Sequence, residues 1–219
     1  KALHQTELSV IAEIKRKSPS KGELAPINNP LELAAKYVVG GANALSILTD
    51  QQFFGGSLND LVTVVKMLGH DRIPILRKDF IIDEIQIAES VAAGADAILC
   101  IVAIHKNNTG TIVSKAKKMG LDVLVEVHDE EELETALCAN ADIIGINNRN
   151  LNTFEINLDT AYRLKKLIPN HVTTVAESGI IEPQQAVKYR EAGFNAVLIG
   201  EALVTSNQPQ TFIRACQEK

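Results

Sequence analysis

Residues 97–127 have the sequence AILCIVAIHKNNTGTIVSKAKKMGLDVLVEV, in which two short apolar runs flank a longer amphipathic stretch. The apolar runs begin near Ala97 and Asp122 and are typical of β-strands, whereas residues 106–119 have the pattern of a helix that ends at Gly120. Strands that are apolar on both faces suit a parallel sheet covered by helices. This stretch therefore predicts a strand, a helix and a second, parallel strand.

The same alternation continues along the whole chain. Eight strands are predicted to begin near Leu8, Ala44, Ile73, Ala97, Asp122, Asp142, Val172 and Ala196. Eight helices are predicted over residues 30–40, 58–68, 83–93, 106–119, 130–139, 158–167, 183–192 and 210–217. Eight strand–helix units in 219 residues favour a closed (β/α)₈ TIM barrel over an open doubly wound sheet. We therefore expect an α/β fold with a single barrel domain over residues 1–219.

Composition and charge exclude several classes of protein. Lys and Arg number 22 against 27 Asp and Glu, and the net charge of -5 offers no basic field for nucleic acid. No apolar run approaches the ~18 residues of a membrane span, and the first residues lack a signal-peptide core. We expect a cytoplasmic monomer with no nucleic-acid or membrane partner. Cys100, Cys138 and Cys216 have no metal-type spacing, so we expect reduced, mostly buried packing residues.

Charged residues follow three of the predicted strands, at the end where TIM-barrel enzymes place their chemistry. Lys15, Lys78 and Glu126 each come at the end of an apolar run. Alternate residues of a strand share a face, so Glu13 points with Lys15 into the barrel. A buried charge needs a partner, because an unpaired one costs several kcal/mol. The pattern predicts either acid/base groups or structural ion pairs.

Each of the other candidates has a functional and a structural interpretation. Lys78 follows Arg77, so one of these cations must point inward; we expect it to be Lys78, with a pKa lowered by burial and by neighbouring lysine charge. Phe80 is either a core residue or the wall of an aromatic ligand site. The run 144–150 ends in Asn147 and Arg149, which offer hydrogen bonds and an anion-binding fork, whereas its other asparagines are expected only to form turns.

Two glycine sites predict a phosphate-binding loop. Ser178 and Gly179 follow the seventh strand, and Gly200 follows the eighth. TIM barrels often bind phosphate at these two loops, together with the N-terminus of a short extra helix. The Glu201 side chain would have to point away from such a ligand.

The histidines show no spacing that would gather a metal ion, and no nucleotide-binding or nucleophile-elbow motif is present. His4, His70, His105 and His171 are expected at the surface, and His128 near the rim of the barrel. We predict no metal and no organic cofactor.

Several segments together closely resemble the indole-3-glycerol phosphate synthase family. They are IAEIK (11–15) with SPSKG (18–22), PILRKDF (74–80), LVEV (124–127), GINNRNL (145–151) and AESG (176–179). The segment 49–57, TDQQFFGGS, is also similar to that family's second βα loop. The match covers the whole barrel, and the motifs occur in the same order, each on its proper strand.

The resemblance implies a TIM-barrel carboxy-lyase of tryptophan biosynthesis that acts on 1-(2-carboxyphenylamino)-1-deoxyribulose 5-phosphate. By this resemblance Lys78 is the general acid of ring closure and Glu126 acts in the dehydration, while Glu13 and Asn147 orient the substrate. Lys15 is a further member of the catalytic group; how it divides proton transfers with Lys78 is left open. The substrate-binding residues implied are Ser18, Pro19, Phe80, Arg149, Glu177, Ser178, Gly179, Leu198 and Gly200.

The sequence departs from the family pattern at its N-terminal end, and three rival interpretations of its function stay open. Family members usually carry some tens of residues ahead of the first strand, forming helices over the barrel mouth, and we expect a domain without that extension. The rivals are phosphoribosylanthranilate isomerase, the tryptophan synthase α subunit, and a noncatalytic barrel that binds a sugar phosphate. Neither rival enzyme needs two inward lysines, and the noncatalytic barrel would bind without turnover.

Overall fold

Eight parallel strands close into a barrel in the computed structural model, which describes residues 2, 3, 5 and 7–218. The barrel strands are β1 (Ser9–Ile14), β4 (Ala44–Leu48), β5 (Ile75–Lys78), β6 (Ala97–Ile101), β7 (Asp122–Val127), β8 (Ile143–Asn147), β9 (Thr173–Glu177) and β10 (Ala196–Ile199). Each pairs with its neighbours in chain order, and β1 closes the barrel by pairing with both β4 and β10. The predicted TIM barrel is confirmed; His4 lies outside the described residues.

Helices cover the outside of this barrel. They are α1 (Pro30–Val39), α2 (Leu58–Leu68), α3 (Ile85–Ala93), α4 (Val102–His105), α5 (Thr109–Lys118), α6 (Glu130–Cys138), α7 (Asp159–Lys165), α8 (Pro183–Glu191), α9 (Glu201–Val204) and α10 (Pro209–Gln217). The predicted helix 106–119 begins later than expected: α4 ends at His105, the φ of 49° at Lys106 is incompatible with a continuous helix, and a 3₁₀ turn over Lys106–Asn108 leads into α5. No helix in the described part of the chain is both long and apolar enough to span a membrane.

A small hairpin also differs from the sequence-based expectation of a loop. Strands β2 (Lys17–Ser18) and β3 (Gly22–Glu23) pair antiparallel directly after β1. The turn between them contains Pro19 and Ser20, and Gly22 has a φ of 71°, which favours glycine. The hairpin places this turn beside the mouth of the barrel.

Alternation along each strand separates two apolar cores. Val10, Ala12 and Ile14 of β1 face the helices, whereas Ile11 faces the barrel interior. The interior core also contains Leu76, Leu99, Leu124, Val175 and Leu198. Burying an aliphatic side chain of this size contributes about 1.5–3 kcal/mol, so this inner layer stabilises the barrel below its charged upper layer. Cys100 and Cys216 are buried free thiols as expected, but Cys138 is an exposed one.

Candidate active site

A cavity of about 710 Å³ opens at the carboxyl ends of the barrel strands. Every site residue predicted from the sequence contributes to its lining: Glu13, Lys15, Ser18, Pro19, Lys78, Phe80, Glu126, Asn147, Arg149, Glu177, Ser178, Gly179, Leu198 and Gly200. They converge because parallel strands bring all their carboxyl ends to one face of a barrel. The structure thus places these residues together, at the end of the fold where the sequence predicted a site.

Lys78 lies between two buried carboxylates inside the barrel. Its Nζ is 3.4 Å from Glu126 Oε2 and 3.3 Å from Glu177 Oε2. Arg77 points the other way, into the helical layer, where it donates to the Gln86 carbonyl at 2.9 Å and Ser90 Oγ at 3.1 Å. The predicted orientation of the two adjacent cations is confirmed.

The pKa of Lys78 is raised, and the predicted lowering is wrong. Burial of Lys78 acts to lower it, but the charges of Glu177, Glu126 and, more weakly, Glu13 outweigh burial. The prediction failed because it assumed that lysine charge would surround Lys78, whereas two carboxylates do. Lys78 is therefore an ammonium group with three donors at neutral pH.

The two carboxyl groups beside Lys78 differ in their protonation. Burial acts to raise the pKa of both. For Glu126, the Lys78 charge, the His128 ring and the Asn147 amide reverse this and lower the pKa to about 2. For Glu177, burial and the repulsion from Glu126 dominate and raise the pKa to about 8. Glu126 is therefore ionised at neutral pH, and Glu177 loses its proton at a higher pH than Glu126 does.

Gly145 of β8 makes room for Glu177. A Cβ atom at position 145 would lie 2.0 Å from Glu177 Oε1, so any other residue would displace this carboxyl group. Glu177 Oε1 itself is buried and has no hydrogen-bond partner among residues 2, 3, 5 and 7–218. An unpaired buried oxygen is costly, and Glu177 is one of the residues that line the cavity.

Glu13 and Lys15 form a second charged pair on the opposite wall. Lys15 Nζ lies 3.1 Å from Glu13 Oε1, and Ser46 Oγ donates to Glu13 Oε2 at 3.2 Å. Gly200 lies against this pair, because a Cβ there would come within 2.4 Å of Glu13 Oε1. The structural ion pair that the sequence analysis gave as one interpretation is present between Glu13 and Lys15, and both side chains also line the cavity.

Two asparagines at the end of β8 have different roles. Asn147 Nδ2 donates to Glu126 Oε1 at 3.1 Å, so Asn147 fixes the carboxylate from the side. Asn148 was expected only to form a turn, but it does more than that. Its buried Nδ2 donates to the carbonyls of Glu177 and Ser178 at 3.0 and 3.1 Å. Asn148 thereby holds the end of β9, and Asn150 forms the expected turn.

The loops after β9 and β10 contain the residues that the sequence predicts to bind phosphate, and two of these residues have positive φ values. Ser178 and Gly179 have φ values of 65° and 86°, and Gly200 precedes the short helix α9. The carboxylate of Glu201 forms an ion pair with Lys21 of the β2–β3 turn, which offsets its negative charge. Arg149 reaches the same turn through Ser20 Oγ at 3.3 Å.

Aromatic side chains form one side of the cavity. Phe80 packs edge-on against Phe53 with ring centroids 6.0 Å apart and lies 6.1 Å from Phe54. Phe80 is half-buried, and all three rings line the cavity, so the wall interpretation of Phe80 is the one that the structure favours. The sequence reasoning missed Phe53 and Phe54; the similarity of the 49–57 loop was the signal that could have found them.

Comparisons with known proteins agree with this geometry. The family model for indole-3-glycerol phosphate synthase matches residues 1–216. The chain belongs to the indole-3-glycerol phosphate synthase family. The family relatives include the indole-3-glycerol phosphate synthase of Nocardioides sp., 48% identical over 207 residues, which cover 94% of this chain and 78% of that one. Indole-3-glycerol phosphate synthase 1 of Streptomyces coelicolor is 46% identical over 213 residues, which cover 97% and 78% of the two chains.

Solved structures with much lower sequence identity share the barrel fold of this chain. A structure described as native KDPGal superposes with a TM-score of 0.71 at 20% identity, covering 96% of this chain and 95% of that one. Thiamine phosphate pyrophosphorylase from Pyrococcus furiosus gives 0.70 at 14% identity, covering 95% and 93%. These likenesses support the barrel fold alone.

Proposed function

We propose that this chain closes the indole ring of indole-3-glycerol phosphate through the residues gathered at the barrel mouth. Its family makes it a carboxy-lyase of tryptophan biosynthesis. The substrate is 1-(2-carboxyphenylamino)-1-deoxyribulose 5-phosphate, and the products are indole-3-glycerol phosphate, carbon dioxide and water. The observation that carries the proposal is the protonated Lys78 held between Glu126 and Glu177 inside the cavity.

Lys78 is the general acid of the first step. The aryl carbon that bears the carboxylate attacks the C2′ ketone, a carbon–carbon bond forms, and the carbonyl electron pair moves onto oxygen. That oxygen takes a proton from the Lys78 ammonium, whose raised pKa keeps it protonated before the substrate arrives. The substrate also competes with Glu126 and Glu177 for this ammonium, because its ketone must approach the same donors.

Loss of carbon dioxide restores the aromatic ring. The bond between the ring carbon and the carboxylate breaks, and its electron pair returns to the ring. Lys15 is the proposed partner of the carboxylate before its loss, since its ammonium lies at the cavity wall and Glu13 holds it in place. The aromatic wall around Phe80 packs against the ring being formed.

Glu126 acts in the final dehydration. As an ionised carboxylate it takes a proton from carbon, while the hydroxyl left by ring closure departs with a proton from one of the two lysines. Asn147 keeps Glu126 oriented through the contact to its Oε1. The result is a double bond in the five-membered ring, with one water released.

The remaining predicted residues bind the substrate rather than react with it. Ser178, Gly179 and Gly200 present the backbone of the β9 and β10 loops to the phosphate. Ser18 is a further candidate contact, since its buried Oγ has no hydrogen-bond partner within the described chain. The other cavity residues proposed to bind substrate are Pro19, Phe80, Arg149, Glu177 and Leu198.

One assay tests the proposal directly. The carboxyphenylamino deoxyribulose phosphate is mixed with the folded protein, and the fluorescent indole product is followed with time. We expect multiple turnovers, and we expect Lys78→Ala to lose at least about 100-fold in kcat while still binding a product analogue. Binding without product would instead support a noncatalytic sugar-phosphate barrel and would refute the synthase assignment.

We propose a cytoplasmic monomer whose one partner is the small phosphorylated substrate. The net charge of -5 supports the absence of a nucleic-acid partner, because no general basic field is available to a phosphate backbone.

A further inference from the structure

His128 lies against Glu126, although the reaction outlined above gives it no role. It follows β7 two residues after Glu126, so that alternation directs both side chains to the same side of the strand. His128 Nε2 is 3.4 Å from Glu126 Oε1, on the carboxylate oxygen opposite the one that faces Lys78. The ring is only 13% exposed, which keeps solvent from replacing this contact.

Glu132 of α6 fixes the imidazole from behind. Asp129 begins the helix by accepting a hydrogen bond from the Glu132 backbone at 2.9 Å. The Glu132 side chain turns back, and its Oε2 lies 2.8 Å from both the backbone nitrogen and Nδ1 of His128. With Nδ1 donating to this carboxylate, Nε2 is the ring nitrogen left to face Glu126.

We propose that His128, held by Glu132, is a positioning residue that places a positive charge beside the Glu126 carboxylate and holds that carboxylate in place at the cavity. This proposal rests on the proposed function of Glu126 in dehydration. Asn147 Nδ2 donates a hydrogen bond to Glu126 Oε1 at 3.1 Å, whereas His128 Nε2 lies 3.4 Å from the same oxygen as an ion-pair contact that lacks hydrogen-bond geometry. These contacts restrict the side-chain conformations that Glu126 can adopt before it takes a proton.

The charges around this pair support the arrangement. Burial acts to lower the pKa of His128, but Glu126 and Glu132 outweigh it and raise the pKa to about 10, so the ring is an imidazolium at neutral pH. The groups that face Glu126 from the other strands are Lys78 on β5, Glu177 on β9, whose pKa is raised by burial, and the neutral Asn147 on β8. Helix α4, which packs against β7 and α6, contributes His105, whose pKa is lowered by burial.

A purely structural role makes a different prediction. If the contact of His128 with Glu132 only caps α6, then His128→Asn should be harmless, because its amide nitrogen replaces Nδ1 beside Glu132. That amide is too short to replace Nε2, and it carries no charge. His128→Gln is the complementary variant, since its amide reaches toward Glu126 but is also uncharged.

The experiment compares both variants with His171→Asn, which changes an exposed histidine just before β9, at the other end of the barrel. The dependence of kcat and KM on pH is measured for each. A cation this close lowers a carboxyl pKa by about 1–3 pH units, so the acid limb of kcat should move up by that amount in both variants. His128→Asn should also lose up to about 100-fold in kcat at neutral pH with KM unchanged, whereas His128→Gln retains more activity.

A measurement without turnover separates this proposal from the proposed function. The Glu126 carboxyl is titrated by ¹³C NMR in glutamate-labelled protein, with its signal assigned by loss in Glu126→Gln. We expect its midpoint to rise by about 1–3 pH units in the His128 variants and to stay unchanged in His171→Asn. An unmoved midpoint, or kcat losses that only follow a falling Tm, would overturn the positioning role even if the wild-type chain is an active synthase.

Discussion

Glu126→Gln separates chemistry from structure at the centre of the site. The amide keeps the size of the side chain, and its one oxygen can accept from either Asn147 Nδ2 or Lys78 Nζ, but it cannot accept a proton from carbon at neutral pH. Removing a positioned general base typically costs about 10²–10⁴-fold in rate. We therefore expect kcat to fall by at least about 100-fold while a product analogue still binds.

The cost in stability should be small, for a reason visible in the structure. Breaking a buried ion pair usually costs about 3–5 kcal/mol because the remaining charge is left unpaired. Here Glu177 Oε2 stays 3.3 Å from Lys78, and part of the rise in the Glu177 pKa comes from the charge of Glu126. Once that charge is gone, Glu177 ionises more readily and replaces Glu126 as the partner of Lys78. We expect a loss of unfolding free energy well below that range.

The assay follows indole fluorescence, analogue binding and urea unfolding in parallel. Glu84→Gln is the matched control, because this carboxylate is 58% exposed and pairs with Lys115 on the outer surface. Near-normal turnover with an unchanged Tm would show that Glu126 takes no part in proton transfer. Extensive unfolding would show instead that Glu126 is chiefly the structural partner of Lys78.

Three further outcomes are expected. The pKa of Glu177 rises on folding from 4.5 to about 8, so its stabilisation is complete below pH 4.5 and lost as pH rises through 8; urea unfolding of Glu177→Gln should show a shallower fall in stability between pH 5 and 8. Gly145→Ala should lower both kcat and Tm because its Cβ meets Glu177 Oε1, whereas Gly110→Ala, with nothing nearer than 3.9 Å, should lower neither. Ser178→Ala should raise KM with little change in kcat if the β9 loop binds phosphate, because phosphate contacts are similar in the ground and transition states; an unchanged KM would contradict that site.

The alternation of residue types determined the strands, the helices and the direction of the charged side chains. Eight apolar runs separated by amphipathic stretches predict a parallel sheet covered by helices and favour its closure into a barrel, which the structure confirms. Period-two alternation also assigned Lys78 to the interior and Arg77 to the helical layer, because side-chain direction in a strand is a local property. The charged residues Glu13, Lys15, Lys78 and Glu126 could be assigned to the barrel interior for the same reason, whereas Ser18, Pro19 and Leu198 were predicted only from the resemblance to the family.

Only the tertiary structure decided what these side chains do to one another. The raised pKa of Lys78, the divergence of Glu126 from Glu177 and the contact of His128 with Glu126 depend on distances between residues of different elements and on their burial. Electrostatic energy varies with separation and with the surrounding dielectric, and neither is encoded in local sequence pattern. Gly145 was overlooked for the same reason: its importance lies in the approach of Glu177 from the neighbouring strand, which exists only once the barrel has closed.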